Sequence, residues 1–195
     1  MPRTRRSTSA RPGGQRAGAA IGGLLFPLDA VYRQAGVAPP AARGIAPDAL
    51  PLPYRSLLAH QSDMTLTLER HLGGRVALRT LSARTIGPWY YRRVLLVQAD
   101  SGRPVEMGAI RLKLAPFTQR IRAGILRAEV PLGRLLRDGG VDFESQPRAF
   151  LEVTPNAEMM GVFWMHEPHV LYGRRTEVML AGKKIGDIVE ILPLL

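Results

Sequence analysis

The 195-residue chain contains no cysteine. That excludes disulfides, thiolate metal ligands and a cysteine nucleophile, and it leaves a reducing compartment, the cytoplasm, as the expected location. It has no run of about 18 apolar residues, so no membrane-spanning helix is expected. Aromatic residues are few at 6%, and acidic residues are outnumbered, 16 against 27 lysines and arginines. Enzyme motifs of strong spacing are also missing: there is no P-loop, no Gly-x-Gly-x-x-Gly after a strand, no His-Glu-x-x-His and no Gly-x-Ser-x-Gly. Nucleotide cofactors and zinc are therefore not expected.

What is present is a hydrophobic fraction of 46%, enough for a real core, and a net charge of +11 with a pI near 11.1. A balance this basic suits an anionic partner: nucleic acid, an anionic membrane surface or an anionic small molecule. Residues 1–50 hold seven arginines against Asp29 and Asp48, a net of +5, so 51–195 carry the other +6. Residues 1–16, mostly Arg, Ser, Thr, Pro and Gly with no apolar periodicity, read as a basic disordered tail. Residues 17–56 read as an N-terminal strap followed by a Pro-rich linker. Gly22, Gly23 and Pro27 interrupt its apolar part, which disfavours a secretory or twin-arginine signal. The folded domain is expected over 57–195.

Within that domain Asp63 is positioned as the N-cap of a helix over 64–71, stopped by Gly73-Gly74. Alternating segments over 75–84, 90–98 and 105–114 read as strands, the last two joined by a turn at Asp100-Ser-Gly102. Phe117, Ile121, Ile125 and Leu126 recur at helical spacing, and Pro131-Leu-Gly-Arg-Leu-Leu136 begins a shorter helix ended by Gly139-Gly140. A strand over 146–154 and a closing hairpin complete the pattern. The apolar loop 155–169, with Met159, Met160, Phe163, Trp164 and Met165, is expected to cover part of the domain. Three strands, two helices and three strands predict a single α+β domain, a six-stranded antiparallel sheet with helices on one face enclosing a ligand pocket.

The closing hairpin places a carboxylate among aliphatics, since Glu190 is flanked by Ile188, Val189, Ile191 and Leu192. A buried carboxylate is costly unless it is paired or used. A two-residue turn at Ala181-Gly182 sets residue 173 opposite Glu190 with Arg175 as its diagonal neighbour, whereas a loop one residue longer sets Arg174 opposite. Arg92 and Arg93 open a strand whose continuation, Val94 to Val97, is apolar on both faces, so one of the two points to the covered side. It is read about equally as a strand-end arginine reaching water and as an anchor for a carboxylate. His166 and His169 lack a third ligand nearby and read as surface or packing histidines.

Asp63-Met64-Thr65, Arg92, Gly108, Pro131-Leu132-Gly133-Arg134-Leu135-Leu136, Tyr172-Gly173-Arg174-Arg175 and Val189-Glu190-Ile191-Leu192-Pro193 follow one another in an order that resembles the chorismate lyase (chorismate pyruvate-lyase) family. The resemblance covers roughly 57–195. It implies a cofactor- and metal-independent lyase that removes pyruvate from chorismate to give 4-hydroxybenzoate, an aromatic acid of ubiquinone biosynthesis. Arg92 would hold the ring carboxylate, Glu190 would transfer the proton, and Met64 and Leu132 would line the pocket. Arg174 or Arg175 would assist. Other members carry an arginine where this chain has Ala109, and Arg111, two residues on, is the expected substitute.

Two rival readings belong to other classes. One is a non-catalytic ligand-binding module, because the effector-binding domain of a family of transcription regulators shares this fold. It would need a DNA-binding partner, and residues 1–56 show no helix-turn-helix. The other is nucleic-acid binding through the basic tail, and both rank below the lyase reading. The Trp89-Tyr90-Tyr91-Arg92-Arg93 cluster is weak support for single-strand binding. The oligomeric state is left open, with a monomer favoured.

Overall fold

A computed structural model describes residues 23–194, so the basic tail expected over 1–16 lies outside the described residues. Seven strands form one sheet: β1 (Ala41–Ile45), β2 (Val76–Ile86), β3 (Trp89–Gln98), β4 (Pro104–Lys113), β5 (Phe143–Thr154), β6 (Leu171–Leu180) and β7 (Lys183–Leu192). Their order across the sheet is β1-β5-β6-β7-β4-β3-β2, and every pairing is antiparallel. The α+β architecture is the expected one, with a seventh strand. That strand, β1, lies in the Pro-rich stretch read as a linker, and Arg43 and Glu152 pair across its junction with β5.

Helices α1 (Leu28–Gln34), α2 (Tyr54–Leu58), α3 (Met64–Leu72), α4 (Gln119–Arg127), α5 (Leu132–Asp138) and α6 (Ala157–Val162) cover the sheet. They occupy both of its faces. On one, α2 and α3 pack Tyr54, Leu57, Leu58, Met64 and Leu68 against Val76, Leu96 and Leu192, and α4 and α5 pack Ile121, Ile125, Leu132 and Leu136 against Ile110 and Val178. On the other, Leu28 and Tyr32 of α1 and Met159 of α6 meet Leu95, Met107, Val189 and Ile191. Two covering layers account for the near-continuous apolar runs of β3 and β7, because a strand buried on both faces has no solvated side to make polar. Loop 155–169 thus does cover something: α6 and Phe163 close this second face.

Local signals act where they were read. The Asp63 side chain accepts from the Thr65 N–H and caps α3, and Gly73 ends that helix at a φ of 66°. Thr118 caps α4 in the same way.

The second face also buries a charged cluster. Asp187 is fully buried and meets Arg111 at 2.7 Å, Lys184 at 2.7 Å and Arg175 at 3.5 Å. The Arg111 guanidinium is sandwiched between the rings of Trp89 and Phe26, at 4.0 and 4.4 Å, which ties the segment before α1 to the sheet. Asp187→Ala would strand buried cations without an anion, so we expect it to cost about 3–5 kcal/mol in equilibrium denaturation.

Candidate functional site

The hairpin decides what Glu190 meets. Ala181 and Gly182 form a two-residue turn with φ of 47° and 71°, as the primed hairpin turns require. Yet Arg174, not residue 173, lies opposite Glu190, because the register shifts where Met179 pairs with Lys184 but Val178 pairs with Gly186. Ile185 is the extra residue of a β-bulge, which does what a longer loop would have done.

Arg174 is 1% exposed and fully engaged. Its Nε donates to the Glu190 carboxylate, and its terminal nitrogens donate to the carbonyls of Leu58 (3.2 Å), His60 (2.8 Å) and Ser62 (3.5 Å). It clamps the α2–α3 connection onto β6 and β7. Burial and the Arg174 charge together push the neighbouring His60 imidazole below its ordinary pKa.

Beside this clamp, between the sheet and α3 and α5, is a cavity of about 60 Å³. Met64, Leu78, Val94, Leu96, Ile110, Leu132 and Val178 give it apolar walls, and Asp63, Arg92, Glu106, Ser145 and Glu190 add polar groups. Gly108 forms part of the wall between Val94 and Glu106; a Cβ there would come within 2.9 Å of the Glu106 Oε1 and 3.3 Å of Val94. Gly133 of α5 packs on the Asp63 carboxylate so closely that a Cβ there would clash with it, and Arg137 pairs with the same carboxylate at 2.5 Å.

The candidate residues separate accordingly. Arg92, Glu190, Met64 and Leu132 line one cavity. Arg174 sits behind Glu190, holding backbone. Arg175 and Arg111 are a correction: both lie on the opposite face, on the buried Asp187, because side chains alternate along a strand. Arg111 does share the face of Ala109, as expected, but that is the face away from the cavity.

Adjacent Arg92 and Arg93 show the same alternation. Arg93 faces α1 and α6, pairing with Glu158 at 2.7 Å over the Tyr32 ring. Arg92, 2% exposed, has no carboxylate partner among the described residues; its Nη1 reaches only the Ile125 carbonyl, at 3.5 Å, and its Nε is buried without an acceptor. Burial lowers its pKa, the nearby Tyr90 hydroxyl opposing, but a guanidinium stays charged at any physiological pH.

Glu106 was missed by the sequence reading. Its signal was parity, since Glu106, Gly108 and Ile110 alternate along β4 and must share a face. It is 4% exposed, and its Oε2 has no partner. Burial foremost, then the Glu190 charge, raises its pKa well above the ordinary value, with Arg174 opposing and Asp63 reinforcing. Above the ordinary carboxyl pKa the unfolded chain releases a proton that the folded protein keeps. Stability therefore falls as pH rises from that value towards the raised one, by at most about 1.4 kcal/mol per pH unit from this group. We expect Glu106→Gln to flatten that part of a pH series of denaturation midpoints.

No family model and no curated protein matches the chain. Solved structures do. PhnF from Mycobacterium smegmatis is 12% identical, with a TM-score of 0.49 over 68% of this chain and 64% of that one. The ligand-binding domain of a GntR-family transcriptional regulator from Bordetella bronchiseptica is 14% identical, TM-score 0.45, over 60% and 85%. The C-terminal domain of the histidine utilization repressor from Pseudomonas syringae pv. tomato is 13% identical, TM-score 0.39, over 61% and 92%. At these identities the likeness concerns the fold. The expected chorismate lyase of ubiquinone biosynthesis stands corrected: these structures are named not as chorismate lyases but, in two cases, as the ligand-binding domain of a regulator and the C-terminal domain of a repressor. Glu190 accepts from Arg174, and among the described residues Arg92 is the arginine that lines the cavity.

Proposed function

We propose that the chain is a non-catalytic binding module whose cavity holds a small organic monocarboxylate, anchored by Arg92. The observation that carries this reading is the buried Arg92 guanidinium without a carboxylate partner at the wall of a mostly apolar cavity. Leaving a charge buried and unpaired costs several kcal/mol, and a ligand carboxylate would offset that cost through a bidentate pair. One arginine and few further donors suit a single carboxylate better than a phosphate or a dicarboxylate.

A proton-transfer role is disfavoured by the same geometry. Glu190 accepts from Arg174, whose other donors are committed to backbone, so neither is free to follow a reacting substrate. Incubation with chorismate is expected to yield no 4-hydroxybenzoate by absorbance. An effector module passes its occupancy to a partner, and a DNA-binding domain is the partner this reading calls for.

The test is a thermal-shift series with hexanoate and its uncharged amide, hexanamide. Hexanoate at 100 times its Kd should stabilise the protein by about 2.7 kcal/mol, a rise of several degrees. An equal rise with hexanamide, or none with either, would overturn the proposal.

A further inference from the structure

The carboxylates of the cavity are not equivalent. Glu190 is held by Arg174, and Asp63 is held by Arg137 and by the Thr65 N–H. Of the three, only Glu106 keeps a buried oxygen with no donor among the described residues. It also sits at the far end of the cavity from the anchor. In the β3–β4 register Arg92 lies opposite Ile110, and Glu106 is four residues further along β4 with Gly108 midway, a separation of roughly 13–14 Å between backbones. Both long side chains shorten that gap as they line the same space. Leu78, Val94 and Leu132 supply apolar surface within it.

Resting on the carboxylate reading above, we infer that this pocket takes a zwitterion: a ligand with its carboxylate on Arg92, an apolar middle over Gly108, and a basic nitrogen on Glu106. The charges facing Glu106 favour a cation. Glu190 from β7 and Asp63 from the start of α3 are negative, Arg174 from β6 is positive, and Arg92 from β3 stands at the opposite end. An ammonium would supply the missing donor to Oε2 and let the carboxyl ionise.

The probes are 5-aminopentanoate against hexanoate and 4-(aminomethyl)benzoate against 4-ethylbenzoate, each pair alike in size and differing by ammonium for methyl. Isothermal titration of the full chain reads the affinity for each. The expected result is at least tenfold tighter binding of one aminated acid than of its counterpart, and loss of the preference in Glu106→Gln. The preference is read on the unaltered protein, so it stands even if that variant fails to fold. Hexanoate and 4-ethylbenzoate each binding as well as its aminated partner would overturn the zwitterion and leave the carboxylate reading intact. A preference undiminished in a folded Glu106→Gln would overturn the assignment to Glu106. Binding of none of the four acids would overturn both readings.

Discussion

Arg92→Met should give a protein that is more stable than the original and unable to bind carboxylates. Arg92 sits 2% exposed among Tyr90, Val94 and Ile110 with one long hydrogen bond to the Ile125 carbonyl. Its burial lacks the opposite charge that repays desolvation elsewhere in this chain, as Glu158 does for Arg93. An apolar side chain of similar length removes that penalty, and such replacements of buried charges are neutral or stabilising by about 1–4 kcal/mol. For a chain of this size the gain corresponds to roughly 2–16 °C in Tm. In exchange the stabilisation by hexanoate should disappear. Stability held back at one residue and released together with binding is the signature of a site kept for its ligand. A variant that is destabilised, or that still binds, would show that the guanidinium is structural.

Arg174→Met should do the opposite. This side chain is as buried as Arg92, but every group around it depends on it: the Glu190 carboxylate and the carbonyls of Leu58, His60 and Ser62. Removing the arginine leaves an uncompensated buried carboxylate and frees the α2–α3 connection. The expected loss is about 3–5 kcal/mol, or roughly 6–20 °C in Tm. Adding Glu190→Leu to it should recover part of that loss, since the stranded charge goes with it, and the double-mutant cycle measures the coupling. Additive losses would mean the two residues do not act as a pair. Two arginines of equal burial thus carry opposite expectations, and the difference lies wholly in their partners.

What the chain alone shows and what it hides divide along the range of the forces involved. Caps, turns and strand periods act over a few residues, so Asp63 before α3, Gly73 after it, the Ala181-Gly182 turn and the alternation of β4 were legible from the chain alone. The covering role of loop 155–169 was legible from its apolar content, although its helix α6 was not. Strand β1 was hidden because its five residues, Ala-Ala-Arg-Gly-Ile, lie between prolines and alternate only weakly; pairing with β5 makes it a strand.

The site shows the same division more sharply. Sequence by itself determined that a carboxylate would lie buried at 190 with an arginine near it, and that one of Arg92 and Arg93 would face a covered side. It could not say that both faces of the sheet are covered, and so it placed Arg111 and Arg175 at a pocket from which strand alternation excludes them. Nor could it place the bulge at Ile185, which sets Arg174 rather than residue 173 on Glu190. Glu106 became visible only when β4 was set between β3 and β7, with its carboxyl at a cavity that neither strand encloses alone. Which arginine is satisfied and which is left for a ligand is a property of neighbours distant in the chain, and only the tertiary structure decided it.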